Sequence, residues 1–410
     1  MLVGQNAATL RFQPQQTVAQ FFQPALLADH EFKLISVGAG GLYGLGSNVV
    51  SLDRILVDGN FLNDDDKDRL VAQLGDDNRF QIHQQAGAII NFRVNQLPIS
   101  LSLENQRSLS LITSDPNTIG LLLYGNARYA GQTIGDPGIT ARDDSWLAIG
   151  LGTAYEVGKL QIGTRLKFLL GQRMNSLENF SYDFFTAEDG SQIDLSADYE
   201  LFQSQNSGNQ GTGFGVDLGF RYKVNDKLVL DASVINLGVI NWKGTLFDNA
   251  VSFSYEGFDA GNVFSGEIGN LDEIFALDTL EQLVLPDSAN GTYGLPLPIS
   301  IHAGAAYSLS EKASLFTSLH IGANEFAAGT PIPMLNVAYQ YQLSPNFLLG
   351  GNVFGGGMPQ YGFGVFAQAN FALGEKQGIA LFYSMDNALG LIAGGSGRGL
   401  SMHGGLSLRL

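Results

Sequence analysis

The sequence predicts an all-β chain closed as a transmembrane antiparallel β-barrel of about fourteen strands. Three observations carry this: a period of two in strand after strand, short turns alternating with long connections, and an even strand count. Over residues 212–224, Phe214, Val216, Leu218, Phe220, Tyr222 and Val224 share one face, while Gly213, Gly215, Asp217, Gly219, Arg221 and Lys223 share the other. One face is dry and bulky. The other mixes glycine with charge, as expected where lipid lies on one side and water on the other.

Composition narrows the class. Charged residues make up 15% of the 410, against roughly 25% in a typical soluble protein. Glycine is frequent, at 52 residues, without a collagen-like period. Mean hydropathy is +0.07, and no apolar run approaches the ~18 residues of a membrane helix. A barrel conceals its apolarity because its two faces average out in any window. With no cysteine there is no disulfide framework and no thiolate chemistry. A net charge of -17 argues against nucleic acid as a partner. Met1–Gly4 lacks the basic and apolar regions of a signal peptide. Since the reading places the protein in a bacterial outer membrane, a mature or truncated form is expected.

Six tight connections punctuate the chain: 95–98, 158–159, 225–227, 308–312, 344–346 and 374–377. Three of the intervening connections, near 44–79, 174–210 and 241–295, are far longer. Short periplasmic turns and long external loops are the barrel pattern. The hairpins test themselves, because a one-residue slip inverts a strand. A Gly158-Lys159 turn opposes Val157 to Leu160 and Leu151 to Leu166, apolar to apolar. The 225–227 turn opposes Tyr222 to Leu230 and Leu218 to Val234, and sets Arg221 against Asp231 as an expected cross-strand ion pair. The 344–346 turn is expected to bring Leu343 opposite Phe347.

Segment 115–125 reads as a short loop helix, with Asp115 as N-cap, Pro116 in the first turn and Gly125 after the end. An extra strand there would also break the parity. Segments 64–75 and 270–284 are expected to be loop helices as well, and the run Asp64-Asp65-Asp66-Lys67-Asp68 is read as a helix N-terminus rather than a calcium loop. The strands fall near 31–43, 80–94, 99–112, 145–157, 160–173, 212–224 and 228–240. They continue near 297–307, 313–323, 333–343, 347–355, 361–372, 378–386 and 398–410. Outward Tyr155, Tyr222, Tyr307 and Tyr341 lie near the short turns as an interfacial girdle. A soluble sandwich or propeller also alternates, but it buries its apolar face, and no blade-length repeat is present.

With this topology, Gly215–Tyr222, the following Asn236–Trp242, and the N-terminal Phe22-Gln23-Pro24-Ala25 carry a resemblance. The chain resembles the long-chain fatty-acid transporter (FadL-like) superfamily of outer-membrane barrels, and within it uncharacterised Bacteroidota outer-membrane proteins. Gln23 stands where that family's Asn-Pro-Ala element has Asn. The resemblance implies that residues 1–30 form a luminal hatch inside a barrel of residues 31–410, with hydrophobic ligands passing through the wall or past the hatch. The alternative for residues 1–30 is a loose periplasmic tail.

Polar residues on predicted luminal phases are the candidate ligand contacts: His83, Arg93, Glu104, Arg165, Lys167, Asp217, Arg221, Asp231, His302, His320 and His403. Phe22, Gln23, Pro24 and Ala25 are the hatch candidates. His302 and His320 are expected as diagonal neighbours on adjacent strands. Histidine beside carboxylate supports hydrolysis or metal binding. A wet interior accepts the same residues without either, and no nucleophile motif accompanies them. The reading is therefore no enzyme, no metal and no cofactor. It expects contact with outer-membrane lipid and transport or binding of a small hydrophobic molecule. A structural barrel that docks a surface or secretion-system protein is the alternative, and a general porin the third.

Overall fold

The computed structural model describes residues 9–49, 51, 63–205, 210–255, 287–323, 333–388 and 397–410. Their strands are β1 (Ile35–Ser47), β2 (Asn78–Val94), β3 (Leu97–Thr113), β4 (Thr133–Val157), β5 (Leu160–Thr186) and β6 (Ile193–Ser204). Next come β7 (Gly211–Lys223), β8 (Leu228–Tyr255), β9 (Asp287–Pro296), β10 (Ser300–Ser308) and β11 (Ala313–Gly322). The last are β12 (Met334–Ser344), β13 (Phe347–Gly356), β14 (Tyr361–Gly374), β15 (Gln377–Asn387) and β16 (Gly399–Arg409).

Neighbouring strands pair antiparallel, and β16 closes onto β1 with Val37 opposite Leu408. Pairing of β5 with β7 and of β8 with β10 leaves β6 and β9 outside the closed ring, which therefore counts fourteen strands. Each predicted span coincides with a ring strand, although β1 begins four residues later than expected. The 158–159 hairpin holds its register, with Val157 opposite Leu160 and Leu151 opposite Leu166. So does the next, with Tyr222 opposite Leu230 and Leu218 opposite Val234. The 344–346 connection does not. The ladder shifts after Gln342, so Ser344 rather than Leu343 pairs with Phe347, a bulge that leaves Leu343 exposed.

The outward face is predominantly apolar around the ring, with Leu103, Ile149, Leu166, Phe214 and Val353 all exposed. A continuous apolar surface around a closed barrel needs lipid, since water would drive it to aggregate. Tyr155, Tyr222, Tyr307 and Tyr341 are exposed beside the tight turns, where amphipathic rings meet the interface.

The long external connections are more ordered than a loop. β5 and β8 run well past the ring, and β6 pairs with both, occupying above β7 the place that β7 holds below. β9 pairs with the outer part of β8 in line with β10. The ladder breaks between them at Pro296-Leu297-Pro298, where two residues lack an N–H. The loop helices Asp64–Val71 and Pro116–Tyr124 form as read: Asn63 caps the first, and the Asp115 carboxylate accepts from Asn117 N–H at 2.6 Å to cap the second. The helix expected at 270–284 lies outside the described residues.

Candidate functional site: the lumen and its N-terminal segment

Residues 9–30 thread the lumen, and most are buried. A 3-10 turn over Thr17–Phe21 leads to a single helical turn, Leu26–Asp29. Leu10, Phe12, Val18, Phe21, Phe22 and Leu26 join wall residues such as Ile89, Phe316 and Phe382 in one apolar cluster. Phe12 stacks on Phe316 with ring centroids 4.9 Å apart.

The segment fits because the wall is cut away beneath it. A Cβ on Gly38 would lie 2.6 Å from the Thr17 Cβ, and one on Gly87 would lie 2.8 Å from the Phe21 ring. On Gly163 it would lie 2.3 Å from the Pro24 carbonyl carbon, and on Gly219 2.8 Å from the Ala25 nitrogen. Glycine in a strand interior marks such close approach. The wet-face glycines of β5 and β7 are sockets for Gln23-Pro24-Ala25.

Polar contacts fasten the segment at both ends. The Arg11 Nε lies 3.1 Å from Asp231 Oδ2, both side chains fully buried. Gln23 Nε2 donates to the Ala232 carbonyl at 3.1 Å and to Asp231 at 3.4 Å. Near the tight turns, Asp29 pairs with Arg221 and, at 2.8 Å, with Lys223. Burial would raise the Asp29 carboxyl, but Arg221, Lys223 and Gln161 outweigh it and hold it below the usual carboxylate range. The expected Arg221–Asp231 ion pair is thus corrected. The two residues are opposite in register, but the segment takes both charges.

His30 closes the anchor. Its Nδ1 donates to the Pro14 carbonyl at 2.8 Å, which leaves Nε2 to accept from Ser36 Oγ at 2.7 Å, and Ser36 in turn shares a 2.8 Å hydrogen bond with Thr17 Oγ1. Burial pushes its pKa down to about 4, although the Pro14 carbonyl favours the charged ring.

Above the hatch candidates lies a neutral quartet of buried charges, Glu104, Arg165, Lys167 and Asp217. Arg165 reaches Asp217 (Nε to Oδ2, 2.9 Å) and, across the glycines of β4, Glu104 at 3.1 Å. Lys167 Nζ lies 2.7 Å from Asp217 Oδ1, which also accepts from Asn236 N–H at 2.7 Å. Asn236 stands at φ +64 where the β7–β8 register shifts. The Arg165 guanidinium sits 4.9 Å over the Phe21 ring, so the segment rests on this belt.

Of the remaining candidates, His302 and His320 stand directly opposite each other, their Nδ1 atoms 3.2 Å apart. This corrects the diagonal placement. His403 packs between Phe22 and Phe382, at 5.8 and 6.0 Å. His83 is buried on β2 opposite Ser108. Arg93 keeps the luminal phase of β2 but stands at the mouth, exposed near the tight turns and over the buried Phe32 ring at 5.1 Å, away from the other candidates. Among the described residues no three His, Asp or Glu converge as a metal set.

A second apolar cluster was not anticipated. Trp146, Leu169, Met174, Phe202, Trp242 and Leu297 pack together on the external side of the charged belt. Both indoles are fully buried, and neither Nε1 finds a protein acceptor. Trp242 occupies the space left by Gly171, whose Cβ would come within 2.4 Å of its ring. Leu297 belongs to the proline-flanked segment between β9 and β10, where its N–H still bonds the Gly238 carbonyl of β8 at 3.0 Å. Sequence reading also missed Arg11 and Asp29. Their signal was present: they are the sole arginine and the sole acid of residues 1–30.

The geometry defines a membrane-spanning barrel whose lumen is occupied by its own N-terminal segment. The chain belongs to DUF5723, a family of unknown function whose model matches residues 24–391. No curated protein matches it in sequence. Solved barrels are similar to it in outline. A Pseudomonas aeruginosa FadL homologue is 13% identical at a TM-score of 0.49, covering 98% of this chain and 95% of its own. The Pseudomonas putida toluene transporter TodX is 11% identical at 0.46, covering 95% and 92%. The Ralstonia pickettii toluene transporter TbuX is 10% identical at 0.47, covering 96% and 93%.

Proposed function

We propose that this protein is an outer-membrane barrel that binds and passes a small hydrophobic molecule, with residues 1–30 as hatch and residues 31–410 as barrel. The observation that carries the reading is the Trp146–Trp242 cluster, an apolar luminal cluster that includes Leu297 of the Pro296–Pro298 segment joining β9 to β10. Its unpartnered indole N–H groups suit an apolar molecule with one acceptor end, such as a fatty acid or an aromatic alcohol. The charged belt beneath pairs its own charges and serves as a floor rather than a catalytic set. The candidates Glu104, Arg165, Lys167 and Asp217 are then floor residues, and Phe22–Ala25 the hatch. The resemblance to Bacteroidota proteins is part of this reading.

A docking barrel is the second reading, favoured by the external sheet in which β6 and β9 flank the outer part of β8. A general porin fits less well with an occupied lumen. Native mass spectrometry of the protein extracted from its membrane separates these. A co-purified fatty or aromatic ligand, lost in a Trp146→Ala/Trp242→Ala variant, supports transport. A stoichiometric protein partner with an empty lumen rejects it in favour of docking, and a steady open conductance rejects both for a porin.

A further inference from the structure

The outward face of the described strands carries a charged patch on β2 to β5. There the exposed side chains Gln84, Asn105, Arg107, Gln172 and Arg173 adjoin one another, with Asp143 between the two arginines. Arg107 Nε lies 3.4 Å from Asp143 Oδ1, and Arg173 Nη2 lies 3.1 Å from Oδ2. Asn105 Nδ2 donates to Gln172 Oε1 at 2.9 Å. The two guanidiniums share a single carboxylate, so the triad keeps a net positive charge. Both stay about half exposed, at 50% and 53%, while Asp143 is mostly covered at 13%. In a chain of net charge -17 this is an unusual surface.

Height places it at a membrane boundary. At ~3.3 Å per residue and a tilt of ~40°, Arg107 stands roughly 25 Å above the tight turn before β3, and Arg173 roughly 33 Å above the one before β5. The apolar band of such barrels is ~25 Å tall, so the arginines stand at or just beyond its outer edge. Beside them a groove of ≈ 460 Å³ runs over the wall between Tyr43 and Tyr383, floored by Gly41 and Gly404, with Gln84 and Asn105 on its rim. A Cβ on Gly404 would meet nothing within 4 Å. Groove and charge are continuous, because Gln84 pairs directly with Arg107 across β2 and β3.

We infer that this surface binds a phosphorylated lipid of the outer leaflet, its phosphate on Arg107 and Arg173 and an acyl chain in the Gly41–Gly404 groove. Guanidinium forks suit phosphate oxygens, and a charge at the lipid edge is best met by an anionic headgroup. Asp143 presents the two forks and moderates their affinity. The site lies on the opposite side of the wall from the lumen and is independent of what the lumen carries.

The test is native mass spectrometry of the full chain in detergent with added bis-phosphorylated lipid A. Arg107→Gln/Arg173→Gln should retain roughly ten- to thirtyfold less lipid than the unmodified protein. Asp143→Asn, which removes the carboxylate that both guanidiniums share, should retain more, a direction that loss of structure does not produce. Equal retention by all three proteins overturns the proposal, as does equal retention of lipid A stripped of its phosphates. Displacement of the lipid by inorganic phosphate alone, at equal phosphate concentration, would assign a free anion instead and overturn the lipid assignment.

Discussion

Arg221 and Asp231 face each other across the β7–β8 hairpin, yet each forms its ion pair with the N-terminal segment, Arg221 with Asp29 and Asp231 with Arg11. A wall that could have neutralised itself instead holds two complementary charges for the segment. Removing one partner of a buried pair leaves the other uncompensated, at a cost of about 3–5 kcal/mol. Arg11→Met should therefore release residues 9–23, seen as a rise in their amide hydrogen exchange. Arg11→Met/Asp231→Leu should recover most of that protection, because two apolar groups replace the buried pair. If the double variant exchanges as fast as the single one, the pair does not hold the segment.

The glycine sockets make a second, sharper test. Gly163→Ala puts a methyl against the backbone of Pro24 and Ala25, which cannot swing aside as a side chain could. Overpacking of this kind costs about 1–3 kcal/mol, and it should fall on the segment rather than on the barrel. Gly163→Ala is expected to expose residues 23–29 to limited proteolysis while heat-resistant barrel migration in gels is kept. Gly355→Ala, which meets nothing within 4 Å, is the control and should behave as the unmodified protein.

Much of the wall was legible because its code is local. Alternation sets the face of each residue, and the turn lengths set the register, so Leu151 opposite Leu166 follows from residues 151–166 alone. The Leu343 bulge escaped a reading that assumed an unbroken ladder, and the other failures were not local: the full length of β5 and β8 depends on β6 bridging them. The destination of Arg221 depends on a helical turn almost 200 residues earlier in the chain. Besides the lone Arg11 and Asp29, the lumen left a trace in the glycines at 213, 215 and 219 on the wet face of β7. At Gly219 the space belongs to Gln23, Pro24 and Ala25.

Acid should loosen the anchor in two stages. His30 has a folded pKa of about 4 against an ordinary value near 6.5, so only the released segment takes up the proton between those values. The stability it contributes is complete above about pH 6.5 and falls as pH drops toward 4, by at most about 3 kcal/mol. Asp29 has its pKa lowered, so its contribution holds above the ordinary carboxylate value and is lost only at lower pH. Hydrogen exchange of residues 14–30 should thus accelerate between pH 6.5 and 4 once corrected for intrinsic chemistry. His30→Gln, which keeps a neutral hydrogen-bonding side chain, should flatten that range and leave the lower one. An unchanged profile in the variant would remove His30 from the account.

Arg165 and Leu166 are neighbours in sequence with opposite surroundings, one buried at 2% exposure among luminal charges and the other 57% exposed on the outer face. Six residues above the turn, Leu166 stands roughly 15 Å up the wall, near the middle of the apolar band. Leu166→Arg should cost about 2–4 kcal/mol there. Arg165→Leu should cost a similar amount for the opposite reason, since Glu104 and Asp217 are then left with only Lys167 between them. The measurement is folding into phosphocholine vesicles followed by urea titration. Exchanging the two residues (Arg165→Leu/Leu166→Arg) combines both penalties, as a one-residue slip of β5 would do locally, and should prevent folding into the bilayer. A stable Leu166→Arg protein, insensitive to bilayer thickness, would mean that this face does not meet lipid. The assignment of the dry face to the membrane would then fall with it.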